Sequence, residues 1–278
     1  MDWLTGKKIP VGTWANGLID WLAAHGAPVF DAIATGITAL TGAILWLLMA
    51  PHPLVLILLV VLAVWFAQRR WTVCLIVAAG LLFILNQGYW DATMQTLTLV
   101  LAACLICMGL GVPIGIACAH RPRLYAWVRP VLDLMQTMPT FVYLIPAIVF
   151  FGLGMVAGLI ATIVFALPAP IRLTHLGITQ TPPALTEAAR AFGASPRQLL
   201  WKVELPSALP QIMAGLTQTI MLSLSMVVIA AMVAAPGLGV PILRAINTLN
   251  TALGVEAGLV IAILAIVLDR ALRIERRK

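Results

Sequence analysis

The side chains of this chain that could do chemistry are few, and most lie inside long apolar stretches. Cys104 and Cys107 form a C-x-x-C, the spacing of a redox or metal-binding pair. No second ligand pair is nearby. Like Cys74 and Cys118, both lie in apolar runs, where cysteine serves as a small buried hydrophobe. The sequence contains no G-x-x-x-x-G-K-[ST], no H-E-x-x-H and no evident nucleophile–base pair, so no enzymatic step is expected of this chain. What remains is a set of neutral polar groups, Thr217, Gln218, Thr219, Ser223 and Ser225, with Met226 beside them, in a charge-free window from Ile212 to Pro236. Spaced hydroxyls and an amide can line a wet path, neutral enough for a cation or zwitterion to pass without being trapped. They can equally bond to a neighbouring helix or to their own backbone. Thr217, Gln218, Ser223, Ser225 and Met226 are the path candidates, with packing as the alternative use for each.

The elements that hold these groups follow from composition. Of 278 residues, 62% are apolar and 10% charged, against roughly 25% charged in a soluble domain. Such a chain cannot cover a water-facing sphere, so its solvent is largely lipid, and an all-α polytopic membrane protein is expected. Windows of about 20 apolar residues are long enough to cross a bilayer. Apolar runs occur at Ala32–Ala50, Leu54–Ala67, Thr72–Asn86, Ala92–Cys118, Thr140–Phe151, Gly158–Leu176, Ile212–Pro236 and Val255–Leu268. The first is weak. There Trp14, Leu18, Trp21, Leu22, Val29, Ile33 and Ile37 mark an amphipathic face with tryptophans at headgroup depth. If Ala32–Ala50 lies in the interface there are seven crossings; if it spans there are eight, with Lys7 and Lys8 inside. Met1–Pro28 lacks a continuous apolar core, so no cleavable leader is expected. The chain divides into an N-terminal scaffold segment (1–50), peripheral crossings (51–90) and a transmembrane core (91–278).

The net charge of +7 does not point to nucleic acid, because the basic residues stand at the ends of apolar runs. Arg69, Arg70, Arg121, Arg123, Arg129, Arg270, Arg273, Arg276, Arg277 and Lys278 all do so. Placing His120–Met138, Thr174–Gln211 and Asp269–Lys278 on the cytoplasmic side gathers most of them there and leaves Asp91 and Glu256 outside. The C-terminus is then cytoplasmic. Pro139, Pro146, Pro168 and Pro170 should kink or interrupt their crossings. Asp133 and Arg172, near the cytoplasmic ends, either pair across helices or remain solvated.

The longest polar interruption between two strong crossings, Thr181–Gln211, reads as a helix–turn–helix. Thr181 is placed to cap a first helix, with Pro182 in its first turn and alanines continuing it to Phe192. Gly193 supplies the left-handed residue that ends it. Ser195 and Gln198 then form a capping box, with Pro196 at the first helical position, and this second helix runs to Pro206. Glu187, Arg190, Arg197 and Lys202 give the unit a polar surface; Phe192, Leu199 and Leu200 give it an apolar side.

Within that segment Glu187-Ala188-Ala189 is followed after three residues by Gly193, and after nine more by Val203-x-Leu205-Pro206. This resembles the coupling motif of bacterial ABC importer permeases, E-A-A-x3-G-x9-I-x-L-P, with valine for isoleucine. Asp133–Pro146, Phe165–Pro168, Phe192–Gln198 and Leu222–Ala230 narrow the likeness to permeases of glycine betaine, proline betaine and choline importers. The likeness runs from about Trp90 to Arg270. It implies a type I importer permease fold in the bacterial inner membrane. It also implies two copies of the chain as a homodimer, two ATPase subunits holding ATP and Mg, and an extracytoplasmic substrate-binding protein. Glu187, Ala188, Ala189 and Gly193, with Leu205 and Pro206, become the ATPase-coupling residues.

The solute itself is implied by resemblance alone. A quaternary-ammonium cage needs several aromatic faces, and the tryptophans here stand at segment ends, as interfacial anchors do. In this family the cage belongs to the binding protein. A permease for another solute, such as methionine, taurine or phosphonate, shares the coupling motif. A secondary transporter would show internal repeats and ionisable residues within its crossings, and neither is evident.

Overall fold

A computed structural model describes residues 10–272, which form helices and short connections with no strand among them. The all-α expectation holds. The basic residues Lys7, Lys8, Arg273, Arg276, Arg277 and Lys278 lie outside the described residues. The elements are α1 (Val11–Met49), α2 (Pro53–Gln68), α3 (Trp71–Asn86), α4 (Trp90–His120), α5 (Pro122–Thr137), α6 (Thr140–Phe151) and α7 (Met155–Ala166). They continue with α8 (Pro168–Thr179), α9 (Pro183–Ala191), α10 (Pro196–Leu199), a π turn (Leu200–Glu204), α11 (Leu205–Ala231), α12 (Gly239–Thr248) and α13 (Thr251–Leu272).

Five segments are long and apolar enough to cross a membrane alone: Gly12–Met49, Trp90–His120, Met155–Thr179, Pro196–Ala231 and Thr251–Leu272. α5 and α6 pass the same test together, bent by 97° at Met138-Pro139, where the proline at position 139 denies the preceding residue a helical backbone. α2 and α3 have 16 residues each, about 24 Å at 1.5 Å per residue. With these two the apolar segments number eight, or seven if α1 does not cross. α1 is a single helix of 39 residues, about 58 Å long. It packs inward through Ile37, Leu40 and Ile44, against Leu99, Cys107 and Leu159. Trp14, Leu18, Trp21, Val29 and Ile33 are exposed, so Ile37 alone of the expected amphipathic face belongs to the core.

The packing uses small residues, as lipid-embedded helices must when no water is available to drive them together. A Cβ on Gly115 of α4 would lie 2.7 Å from the Ile171 carbonyl oxygen of α8, and one on Gly177 of α8 would lie 2.9 Å from Ala208 of α11. Leu159 and Ala161 of α7, Val100 and Ala103 of α4, and Leu264 of α13 are essentially inaccessible. α4 belongs to both main cores. One is built with α2, α3, α11 and α13, the other with α1 and α7.

Contacts at the helix ends define two faces. On one, Tyr89 Oη meets Glu256 at 3.5 Å, the Leu238 N–H donates to Thr96 Oγ1 at 2.8 Å, and the Gly154 N–H donates to the Val233 carbonyl at 2.7 Å. Burial first, then the neighbouring Glu256 carboxylate, push Tyr89 above its ordinary value. On the other, Gln68 Nε2 donates to the Arg270 carbonyl at 2.7 Å, and His120 meets Glu204 at 2.8 Å. Arg172 Nη2 reaches Asp133 Oδ1 at 2.6 Å, so these two charges are paired across α8 and α5.

Candidate functional site

The second face carries the segment between α8 and α11. α9 starts one residue later than the sequence implies: Pro182 is the cap, Pro183 is the first helical residue, and no side chain caps the helix. With Pro183 at that position, one of the helix's orphan N–H groups does not exist. The Thr181 hydroxyl is instead buried with no hydrogen-bond partner. The helix runs nine residues and buries none of them. Glu187 and Ala188 are exposed and Ala189 is half-buried; Phe192, next after the helix, is 93% exposed. Helices this short are marginal in water unless something packs on them.

Gly193 has φ of +77°, the left-handed conformation predicted for it. Its N–H donates to the Arg190 carbonyl at 2.9 Å, and that of Ala194 donates to Ala189 at 3.0 Å, which closes the turn. Ser195 and Gln198 then form the expected capping box: the Gln198 N–H donates to Ser195 Oγ at 3.3 Å, and the Ser195 N–H donates to Gln198 Oε1 at 2.9 Å.

The second helix does not stop at Pro206. It widens into a π turn over Leu200–Glu204, and the Leu205 N–H donates to the Leu200 carbonyl five residues back. Pro206 then falls in the first turn of the 27-residue α11. Lacking an N–H, it adds no bond back into the π turn that the Leu205 N–H has just closed. The apolar side expected from Phe192, Leu199 and Leu200 is not one face: Leu199 is buried, Leu200 half-buried, and Phe192 points outward. Glu187, Arg190, Arg197 and Lys202 are all exposed, as is Pro206. Ser195, Arg197, Gln198, Trp201 and Lys202 line an open depression of about 590 Å³ beside them.

The path candidates divide. Gln218 and Ser225, seven residues apart on α11, share an exposed face with Ala214 and Met232. Ser223 and Met226 are buried, Met226 in a core cluster with Leu144, Ala147 and Val233. The hydroxyls of Thr217, Thr219, Ser223 and Ser225 donate to carbonyls four residues back in the same helix, at 3.2, 2.8, 2.8 and 3.0 Å. Each hydroxyl is satisfied within its own helix, without a partner element. Two residues of this face escaped the sequence reading, His120 and Glu204. The only signal was a carboxylate immediately before Leu205-Pro206.

Comparison with known proteins places this geometry. Residues 111–277 match the family described as binding-protein-dependent transport system inner membrane component. The chain is 47% identical over 264 residues to the Bacillus subtilis (strain 168) glycine betaine transport system permease protein OpuAB, covering 95% of this chain and 93% of that one. It is 47% identical over 263 residues to the Escherichia coli (strain K12) glycine betaine/proline betaine transport system permease protein ProW, covering 94% of this chain and 74% of that one. The similarity therefore reaches well into the N-terminal part, beyond the Trp90–Arg270 stretch visible in the motifs. Among solved structures, a chain of the inward-facing MetNI methionine ABC transporter superposes with a TM-score of 0.59 at 25% identity, covering 70% of this chain and 98% of that one. An α9 that buries nothing, the E-A-A-x3-G spacing around a left-handed glycine, and a family match over more than half its length agree: this chain belongs to the inner-membrane components of binding-protein-dependent transport systems, the permeases of ABC importers.

Proposed function

We propose that the chain forms the translocation path of an ATP-driven importer for a small quaternary-ammonium solute: glycine betaine, proline betaine or choline. One observation carries the coupling half of this reading. α9 presents Glu187, Ala188 and Ala189 on a helix with no buried residue, hinged at Gly193 and rooted between two membrane-crossing segments. A soluble partner that covers this helix supplies the packing it lacks, and small alanines permit close approach. That partner is an ATPase subunit, which keeps ATP and Mg to itself. The solute half rests on the names of the relatives.

In the proposed assembly two copies of the chain pair about a two-fold axis in the bacterial inner membrane, with α9 and the C-terminus cytoplasmic. ATP binding closes the two ATPases, draws the coupling helices together and opens the path to a loaded extracytoplasmic binding protein. Hydrolysis resets it. The exposed α11 face with Gln218 and Ser225 lies toward the path, whereas Ser223 and Met226 hold the helix against its neighbours.

The test is uptake of labelled glycine betaine and choline into vesicles holding this chain with its neighbouring ATPase and binding protein. ATP-dependent uptake of either solute, lost without this chain, is expected. If neither enters while the complex hydrolyses ATP, the solute assignment fails, and taurine or methionine is the next solute to try. Glu187→Ala and Gly193→Asp should each reduce ATPase association and uptake with membrane insertion intact; normal uptake in both would sink the coupling assignment.

A further inference from the structure

Among the described residues Glu204 is the one charged side chain that is buried, at 8% exposure. A buried carboxylate without a partner is expensive, and its partner comes from 84 positions earlier: His120 Nε2, 2.8 Å from Glu204 Oε2. The other ring nitrogen, Nδ1, lies 3.0 Å from the Ile116 carbonyl oxygen. Both neighbours of the ring are acceptors, so an N–H on Nε2 donates to the carboxylate whether the ring is neutral or protonated, and a second N–H on Nδ1 would serve the carbonyl.

The two residues belong to elements with different duties. His120 ends α4, the helix shared by both main cores. Glu204 ends the π turn from which α10 and α9 are hung. A π turn is a local irregularity that can absorb displacement, and such turns concentrate at functional sites. The joint is otherwise apolar, built from Ile116 and Ala119 of α4, Ile178 of α8, Leu200, and Leu205, Ala208 and Ile212 of α11. The charged residues nearest in sequence, Arg121 and Lys202, are exposed, and the α8 histidine, His175, stacks on Tyr125 of α5 at 3.7 Å. The His120 side chain is 44% exposed, so the joint opens onto the aqueous phase on this face.

We infer that the His120–Glu204 pair is a latch, fixing the π turn at the root of the coupling segment to the end of α4 so that movement of α9 is delivered to α4. Both are positioning residues, and the inference rests on the permease reading above.

The test measures solute moved per ATP hydrolysed by the full complex in vesicles. Glu204→Gln, whose side-chain amide can still hydrogen-bond His120, should stay close to the wild-type ratio. His120→Leu should lower it several-fold, with ATP hydrolysis changed less than twofold. An unchanged ratio in His120→Leu, or an equal loss in both variants, overturns the latch. A second readout needs no solute: ATP binding should alter amide hydrogen exchange in the last turns of α4 in the wild type but not in His120→Leu. Equal changes in both also overturn it. Absence of betaine and choline uptake beside a normal exchange response faults the solute assignment and leaves the latch supported. If His120→Leu fails to assemble, Glu204→Leu, which breaks the pair from its other side, takes its place in both measurements.

Discussion

Gly193 offers a graded test of whether the coupling segment works through its backbone. Its φ of +77° is a conformation that costs an L-residue about 1–2 kcal/mol. An added Cβ would meet nothing within 4 Å, so within this chain the whole penalty is torsional. It cannot spread into the membrane core, because α9 buries no residue. A penalty of 1–2 kcal/mol lowers the population of the native turn about 5- to 30-fold. If only that turn presents α9 correctly, the apparent affinity for the ATPase falls by the same factor. Asparagine visits the left-handed region more readily than alanine, and valine hardly at all. The order of ATPase affinity, measured by titration into detergent-solubilised permease, should therefore be Gly193, then Gly193→Asn, then Gly193→Ala, then Gly193→Val. Thermal unfolding of the membrane part should stay unchanged. Asparagine is larger than alanine, so the order separates two causes. If alanine binds better than asparagine, volume at the partner surface governs the site and the torsional reasoning is wrong; if alanine equals glycine, the turn does not govern docking at all.

Other substitutions probe the rest of the molecule. Gly115→Ala places a methyl 2.7 Å from the Ile171 carbonyl oxygen and from Thr174 Cβ, which must push α4 from α8 at a cost of about 1–3 kcal/mol. Gly109→Ala on the same helix meets nothing within 4 Å, and only the first should lower the unfolding temperature in detergent. On α11, Gln218→Leu should reduce uptake with stability preserved, whereas Ser223→Ala should leave uptake unchanged, because its hydroxyl returns to the Thr219 carbonyl. Equal transport defects in the two would mean that exposure on this face does not mark the path. Asp133→Asn breaks a pair whose side chains are 53% and 35% exposed, so it should cost under about 1 kcal/mol; a larger loss, read by thermal unfolding, would show that the α5–α8 contact is held by this pair.

The parts of the fold legible in the sequence were those set by local rules. The Ser195–Gln198 capping box and the left-handed Gly193 are each decided within a few residues, and both stand as expected. So does α6, whose ends at Thr140 and Phe151 follow from Pro139 before it and Gly152 after it. The start of α9 failed by one residue because two consecutive prolines offer two registers, and only the surroundings choose between them. The π turn failed for a deeper reason. It is a register shift of one residue inside an otherwise continuous helix, and no periodicity marks it. What marks it is the meeting of Glu204 with His120, across 84 positions of chain.

The path candidates show where sequence reasoning stops. Thr217, Gln218, Ser223 and Ser225 look alike as polar groups in an apolar window, and their surroundings differ only by which side of α11 the neighbours cover. Ser223 is covered, and Gln218 and Ser225 are not. The same contrast runs through the molecule. Gly111 and Gly115 of α4 close on Pro170, Ile171 and Thr174 of α8, while Gly177 of α8 closes on Ala208 and Gln211 of α11. Helices locked through small residues on both sides move together more readily than they deform, because close-packed interiors transmit strain. A displacement that reaches the end of α4 therefore reaches α8 and α11 with it, and carries the exposed Gln218–Ser225 face along. An outer helix that buries nothing and a closely packed three-helix unit behind it would suit a permease whose gating is driven from one end.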